Sequence, residues 1–523
     1  MKKFLTLYII LIFLLNCSQR NSKDTIVESI RSFPSTLNPV YATDEISAGI
    51  VDKIFNGLFC FNEYGEPVPD LAKSYSFVKE GKEMLIDLRK NVYWHDGAVF
   101  SANDVIFTFN LLRKKEIGYP YFSDIESIKN ISKINSHKIK ITYKYPFAPA
   151  LTYLTFKILP SHLLKNYLNN PKKFKTCDFN FSPIGTGPYK FVKMISPQKI
   201  ILEHFADYFR GKPKIERYIA VLNPDALINP LKLIKEEVDL AEIEPDLVEP
   251  FLKNKDFRRK IRVFTYMKNS FTYLGFNLNY HIFQSKNIRQ ALTYGLNRKA
   301  IVKNILRNRG TICSSPILLS FWKNDKVKNY FYQPQLAKEI LQKEGWRDND
   351  NDGILEKNDE EFVITILTNS ESLLRKNIAL AIKHDWENLG IKVKLEFMEY
   401  GIFLERLTKR NFQAVISGFL LDLDPNQYDI WHSSGSLNYF GYKNPIVDKL
   451  LEKGKTTLDK IGRKKLYDRF QEIILSDLPV IFLISPEYTI GINKRVKVSK
   501  HPKIIGSMNS FSSFLFYWEI DNL

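Results

Sequence analysis

"VYWHDGAVFSANDVIFTFN", Val92–Asn110, sets His95 beside Asp96 and follows them with a second acid, Asp104. Two readings compete for this stretch. In one, His95 is a general base oriented by the Asp96 carboxylate. In the other, the stretch is scaffold: the end of a strand, a turn, and the start of a helix. The residues favour the second. Just upstream, Leu85, Asp87 and Arg89 alternate onto one face, as a strand requires. Asp96-Gly97 is turn chemistry. Ser101 suits a helix N-cap, and Asp104 three residues later completes a capping box with Asp in place of Glu. Val105, Phe109 and Leu112 then recur at helical spacing.

Outward from this stretch the chain mixes strand and helix signals, without repeats. "KIKITYKY" (Lys138–Tyr145), "KIILEHF" (Lys199–Phe205), "FVITILT" (Phe362–Thr368) and "IKVKLEFMEY" (Ile391–Tyr400) read as strands. Asn287–Leu306 reads as one helix, with Ile288, Leu292, Leu296, Ile301 and Ile305 near a single stripe. Ser372–Gly390 reads as another, stopped by Gly390 and followed at once by a strand, which is half of an α/β unit. These patterns predict α/β sheets covered by helices, in more than one lobe. At 523 residues, 44% of them hydrophobic and 14% aromatic, the chain is long enough for more than one core.

The N-terminus sets the compartment. Lys2 and Lys3 precede an apolar run from Phe4 to Leu15, which is the length of a signal-peptide core and too short to span a bilayer. The run ends on Cys17, with polar Ser18 to Ser22 behind it. This resembles a bacterial lipoprotein signal, in which Cys17 becomes an acylated N-terminus. The expectation is a signal peptide over 1–16, a tether over 17–24, and an exported body held at a membrane by lipid.

The other cysteines are Cys60, Cys177 and Cys313, with no metal-binding spacing and no disulfide framework. The net charge of +19 is spread along the whole chain among 57 acids. No basic-aromatic platform concentrates it, so nucleic acid is not the expected partner. There is no GxSxG, HExxH or phosphate-binding loop, and the eight histidines are scattered, so an enzyme is not expected. The lesser alternative is a secreted hydrolase with His95 and Asp96 as its base.

The opening stretch closely resembles a hallmark of the bacterial extracellular solute-binding proteins of family 5, the oligopeptide- and dipeptide-binding type. Trp94, Asp96, Gly97, Phe100, Ser101, Ala102, Asp104 and Val105 carry the likeness. It continues in order through "SPIGTGPYKF" (Ser182–Phe191), "YFRGKPKIERY" (Tyr208–Tyr218), "YQPQLAKEILQKEGWRDNDNDGI" (Tyr332–Ile354) and the Asp-Pro block Leu421–Gly454. The resemblance implies a two-lobed periplasmic-binding-protein-like fold (type II, cluster C), with two hinge crossovers expected near Phe271–Asn277 and Pro479–Tyr488. It implies a main lobe built from 25–59, 183–275 and 487–523, an inserted subdomain over 60–182, and a second lobe over 276–486. It further implies a monomeric receptor that captures short peptides between its lobes and delivers them to the permease of an ABC importer, without cofactor. An oligosaccharide or a metal chelate stays open as the ligand.

In peptide-binding members an acid ahead of the Asp-Pro block pairs with the peptide ammonium, which points to Asp422; Asp424 reads as a turn or cap acid. Phe419, Tyr439 and Tyr488 are the aromatic candidates for the cleft, while Trp431 reads as core. Separately, Asp348, Asp350, Asp352 and Gly353 occupy positions one, three, five and six of a calcium loop, with Asp359 at position twelve. Such an ion would be structural and away from the cleft.

Overall fold

The computed structural model describes residues 24–327, 329–506 and 510–521. Cys17 and the signal segment lie outside the described residues. Among the described residues no helix is long and apolar enough to cross a membrane.

Two separate sets of buried side chains divide the chain. One, in a large cluster, runs from Ile26 to Tyr266 and resumes at Ile490 through Trp518, with a smaller cluster between Leu233 and Ile261. The other, in two adjoining clusters, takes residues between Phe271 and Ile484. The change of core therefore falls between 266 and 271, and again between 484 and 490. These are the two crossings between lobes.

One 14-residue strand, Val480–Asn493, makes one of the crossings. Its first half pairs antiparallel with Ser270–Phe276 in the second lobe. Its second half pairs with Ile261–Lys268 and Leu240–Ile243 in the first. The strands Ile261–Lys268 and Ser270–Phe276 are separated only by Asn269, which forms the other crossing. The Asn269 amide donates to the Ile505 carbonyl, its own carbonyl accepts from Leu421, and its Nδ2 donates to the Asp422 carbonyl at 2.5 Å. The first crossing thus lies just ahead of the expected 271–277, because those residues are already paired with Ala414–Leu420 inside the second lobe.

In the first lobe the sheet continues from the long strand through Leu240–Ile243, Thr25–Ile30, Arg217–Leu222, Lys199–His204 and Tyr189–Ile195. Beside it stands a four-stranded antiparallel sheet, ordered Ala72–Val78, Glu83–Leu88, Lys138–Tyr143 and Ile128–Asn135. In the second lobe Val363–Asn369 lies parallel to Lys392–Met398 and to Ala414–Leu420. The helix Leu373–Glu387 connects the first two, capped by Ser372 and followed by Gly390 at φ +89°. This is the expected helix-then-strand unit.

The single helix expected over 287–306 is broken. It runs Lys286–Tyr294, and after Asn297 restarts as Arg298–Ala300 and a wide turn, Ile301–Ile305. Asn297 causes the restart: its side chain accepts from the Ala300 amide at 3.0 Å while its own amide is held by Asp385 at 2.8 Å. Apolar spacing carried on across the break because both segments pack on the same core.

Candidate functional site: the inter-lobe cavity

The opening stretch forms no catalytic pair. His95 Nε2 donates to the Gly187 carbonyl at 3.0 Å, and His95 Nδ1 accepts from the Gly185 amide at 3.2 Å. Its ring therefore clamps the Trp-His-Asp-Gly turn to the Gly-Thr-Gly-Pro turn, with both nitrogens spent. Burial lowers its pKa to about 4, so it is neutral at physiological pH. Asp96 accepts instead from His162 Nε2 at 2.7 Å and from the Ala98 amide at 3.1 Å. Burial raises the Asp96 pKa, but these hydrogen bonds outweigh it and hold the carboxyl below its ordinary value.

Asp104 completes the capping box, accepting from the Ser101 amide at 2.8 Å. It also accepts from the amide and hydroxyl of Ser161, at 3.0 and 2.6 Å. The buried carboxylate thus joins two helix starts that are far apart in sequence.

A cavity of about 830 Å³ lies where the four-stranded subdomain, the second lobe and the two crossings meet. Met267, Lys268 and Ser485 bring the crossings to its wall. The subdomain contributes Tyr75, Phe77 and the tip of the hairpin between Phe59–Phe61 and Pro67–Pro69. Gly65 at that tip has φ +75°, and a Cβ there would meet Ile504 and Leu423 at 3.1 Å. The tip is therefore glycine both for its backbone and for its fit against Ile504 and, across the cleft, Leu423 of the second lobe.

From the second lobe come Phe321, Trp322 and the first turns of the helix Lys460–Asp477. Arg463 on that helix grips Asp424 through two parallel bonds of 2.8 and 2.7 Å, with both side chains under a tenth exposed. Burial disfavours the guanidinium charge, but the Asp424 carboxylate outweighs it and raises the Arg463 pKa. Asp424 also accepts from the Asn426 amide at 2.9 Å, as the turn acid expected before Pro425. Across the cavity mouth Lys460 reaches Glu66 at 3.7 Å. The lobes also touch where the Ala148 amide donates to the Lys455 carbonyl at 2.8 Å. Cys313 lines the wall, its thiol pushed up to about 12 by burial and hence unreactive.

The structure places the named candidates as follows. Asp422 is half-buried beside the cavity and is not among its lining residues; its neighbours Leu423 and Asp424 are. Phe419 stacks between Tyr273, at 5.0 Å, and Tyr439, at 6.5 Å, at the carboxyl end of the second lobe's parallel strands. Tyr488 stacks on Tyr266 at 5.6 Å and carries the Lys268 ammonium 4.1 Å above its ring. Through Lys268 it adjoins the cavity. Trp431 is fully buried.

The acidic loop gathers oxygens of Asp348, Asp350, Asp352 and Glu356 within 4.8 Å of one another. Asp359 is not in this group. The chain leaves the loop early as the short strand Glu356–Lys357, and Asp359 falls in the following turn at φ +65°. Glu356, at position nine, takes the place expected of position twelve.

Sequence reasoning did not single out Lys268, Phe321, Trp322, Arg463 or Lys503 at the cavity. Only tertiary approach brings these residues together.

Residues 66–441 match the family described as bacterial extracellular solute-binding proteins, family 5 Middle. The oligopeptide-binding protein AppA of Bacillus subtilis is 30% identical over 494 residues, covering 92% of this chain and 89% of that protein. The dipeptide-binding protein of Escherichia coli is 26% identical over 461 residues, 83% of each chain. Among solved structures, NikZ of Campylobacter jejuni in complex with Ni(L-His) aligns with a TM-score of 0.81 and 28% identity, covering 95% of this chain and all of that one. AppA in complex with a nonapeptide aligns at 0.78 and 27%, covering 95% and 99%.

Proposed function

Because the chain belongs to the family 5 bacterial extracellular solute-binding proteins, we propose that it captures short peptides between its lobes and hands them to the permease of an ABC importer. The observation that supports this most is the cavity itself. It is large enough for a small peptide, it is walled by both lobes, and the two crossings reach its wall. A ligand that touches both walls stabilises the closed arrangement by its contacts with each, and so shifts a hinge equilibrium. The paired aromatic walls suit apolar side chains, and the extended peptide backbone can be satisfied by strand-like hydrogen bonds. Oligopeptide- and dipeptide-binding relatives support the choice of cargo.

The anchor belongs to the same proposal: lipid on Cys17 holds the receptor at the membrane beside its permease. Native mass spectrometry of protein purified from its own export compartment tests the cargo. Retained peptides support the reading, whereas retained oligosaccharide or metal chelate would replace it within the same family.

A further inference from the structure

The positive charge of the chain gathers locally in the inserted subdomain. Between Glu126 and Asp178 the sequence holds ten lysines and no acid. Three of the ten reach carboxylates supplied by other segments: Lys138 meets Asp87 at 3.1 Å, Lys140 meets Glu83 at 3.7 Å, and Lys157 meets Asp52. The last four of the run, Lys165, Lys172, Lys173 and Lys175, are exposed and form no ion pair among the described residues.

These four belong to two short helical turns, Lys165–Leu168 and Pro171–Phe174, and the residue that follows the second. The turns pack on each other through Tyr167 and Phe174, whose rings are 5.4 Å apart. A third turn, Lys115–Ile117, joins the same face. Its Ile117 carbonyl accepts from the Tyr41 hydroxyl at 3.0 Å, and the Tyr41 ring meets Phe174 at 5.9 Å. Lys175 reaches over to Gly118, where a Cβ would stand 3.1 Å from its Nζ. Lys114 and Lys115 are thereby added to the face, exposed and again without an ion pair among the described residues. Six ammonium groups share this surface, and the exposed apolar side chains Leu163 and Phe181 flank it in sequence.

We propose that this face of the subdomain lies against a membrane surface rich in anionic phospholipid. Like charges held on one face repel each other, and a plane of phosphate headgroups relieves all six at once. The ammonium groups come from three separate turns on an exposed face, which suits a continuous field of headgroups rather than one bound anion. Exposed lysines beside exposed apolar residues are also the composition of an interfacial contact. A tether over 17–24 reaches at most about 28 Å, so a lipid on Cys17 keeps the body close to such a surface. The inference rests on the anchored part of the reading above, not on its cargo. The lipid retains the protein, while the lysine face decides which side of it lies down. Salt screens exposed charges, so at physiological ionic strength the face orients an anchored protein and does not hold an unanchored one.

The test uses Cys17→Ser protein, so that the face acts without lipid. It is floated with vesicles of phosphatidylcholine alone, or with about 30 mol% phosphatidylglycerol, at about 20 mM and about 150 mM salt. At low salt, binding to the anionic vesicles should exceed binding to the neutral ones at least tenfold, and it should fall steeply at the higher salt. The variant Lys165→Gln, Lys172→Gln, Lys173→Gln, Lys175→Gln should bind the anionic vesicles at least tenfold less. An equal change of charge on exposed lysines of the second lobe, Lys338→Gln, Lys394→Gln, Lys443→Gln, Lys449→Gln, should lower binding less than threefold. Both variants are first checked for an unchanged melting temperature. Equal losses in the two variants, equal binding to neutral vesicles, or no binding at all would each overturn this inference. None of these outcomes touches acylation at Cys17, which palmitate labelling of the wild type reads separately.

Discussion

Asp424 and Arg463 face each other in a two-pronged ion pair at the edge of the cavity, with each side chain under a tenth exposed. Such a pair is costly to break from one side. Asp424→Ala leaves a guanidinium buried without its counter-charge, and the expected loss is about 3–5 kcal/mol. The double variant Asp424→Leu, Arg463→Met should recover much of it, because packing replaces charge. Urea unfolding of Asp424→Ala, of the single variants Asp424→Leu and Arg463→Met, and of the double variant measures both; additive losses in the two matching singles would show that the pair contributes no coupling.

His95 is buried neutral, with a pKa lowered from 6.5 to about 4. Above pH 6.5 neither the folded nor the unfolded chain protonates this ring, and its contribution is fully present. Below that, the unfolded chain binds a proton that the folded one refuses, so stability falls between pH 6.5 and about 4. A difference of this size between the two states is worth at most about 3.4 kcal/mol. His95→Gln should flatten this part of the pH-stability curve and leave peptide retention unchanged. An equal slope in both proteins would place the acid sensitivity elsewhere.

Asp104 holds two helix starts at once. Asp104→Ala should therefore cost more than an ordinary cap, about 2–4 kcal/mol, since two amides and a hydroxyl lose their acceptor. Ser161→Ala should cost less than half as much. Thermal or urea unfolding reads the ranking, and a reversed order would contradict the bridging role.

Calcium at millimolar concentration should raise the melting temperature through Asp348, Asp350, Asp352 and Glu356, by mass action on the folded state. The double variant Asp350→Ala, Asp352→Ala should show no shift, and Asp359→Ala should behave as wild type. A flat wild-type response would make the loop an acidic turn only.

Cys17→Ser should move the protein from the membrane fraction to the soluble one, with loss of radiolabelled palmitate. Labelling that survived the substitution would refute acylation at this position.

Legibility varied with sequence distance. The strand–turn–helix of the opening stretch, its capping box and the structural role of His95 all follow from residues within a short window. The α/β units and the turn role of Asp424 were legible for the same reason. What escaped depends on remote partners. Ser161 gives no local sign that it binds Asp104, and Arg463 none that it faces Asp424 across 39 positions. The break at Asn297 escaped because Ile301 and Ile305 keep the same apolar stripe on either side of it. The Glu356 substitution escaped because loop spacing assumes a chain path that Gly353, at φ +90°, and the following short strand do not take.

The strand Val480–Asn493 also governs the order in which the molecule can be assembled. Its partners, Leu240–Ile243, Ile261–Lys268 and Ser270–Phe276, are made some two hundred residues earlier, and they belong to both lobes. Until the chain reaches Asn493, each lobe lacks an interior strand of its own sheet, and the strands on either side present unmatched backbone to the gap. Neither half can therefore mature as an independent early unit, as the leading domain of a tandem protein would during synthesis. Both lobes lock late and together, on a single segment. A chain handed to an export channel before that moment is still pliable enough to be threaded through it.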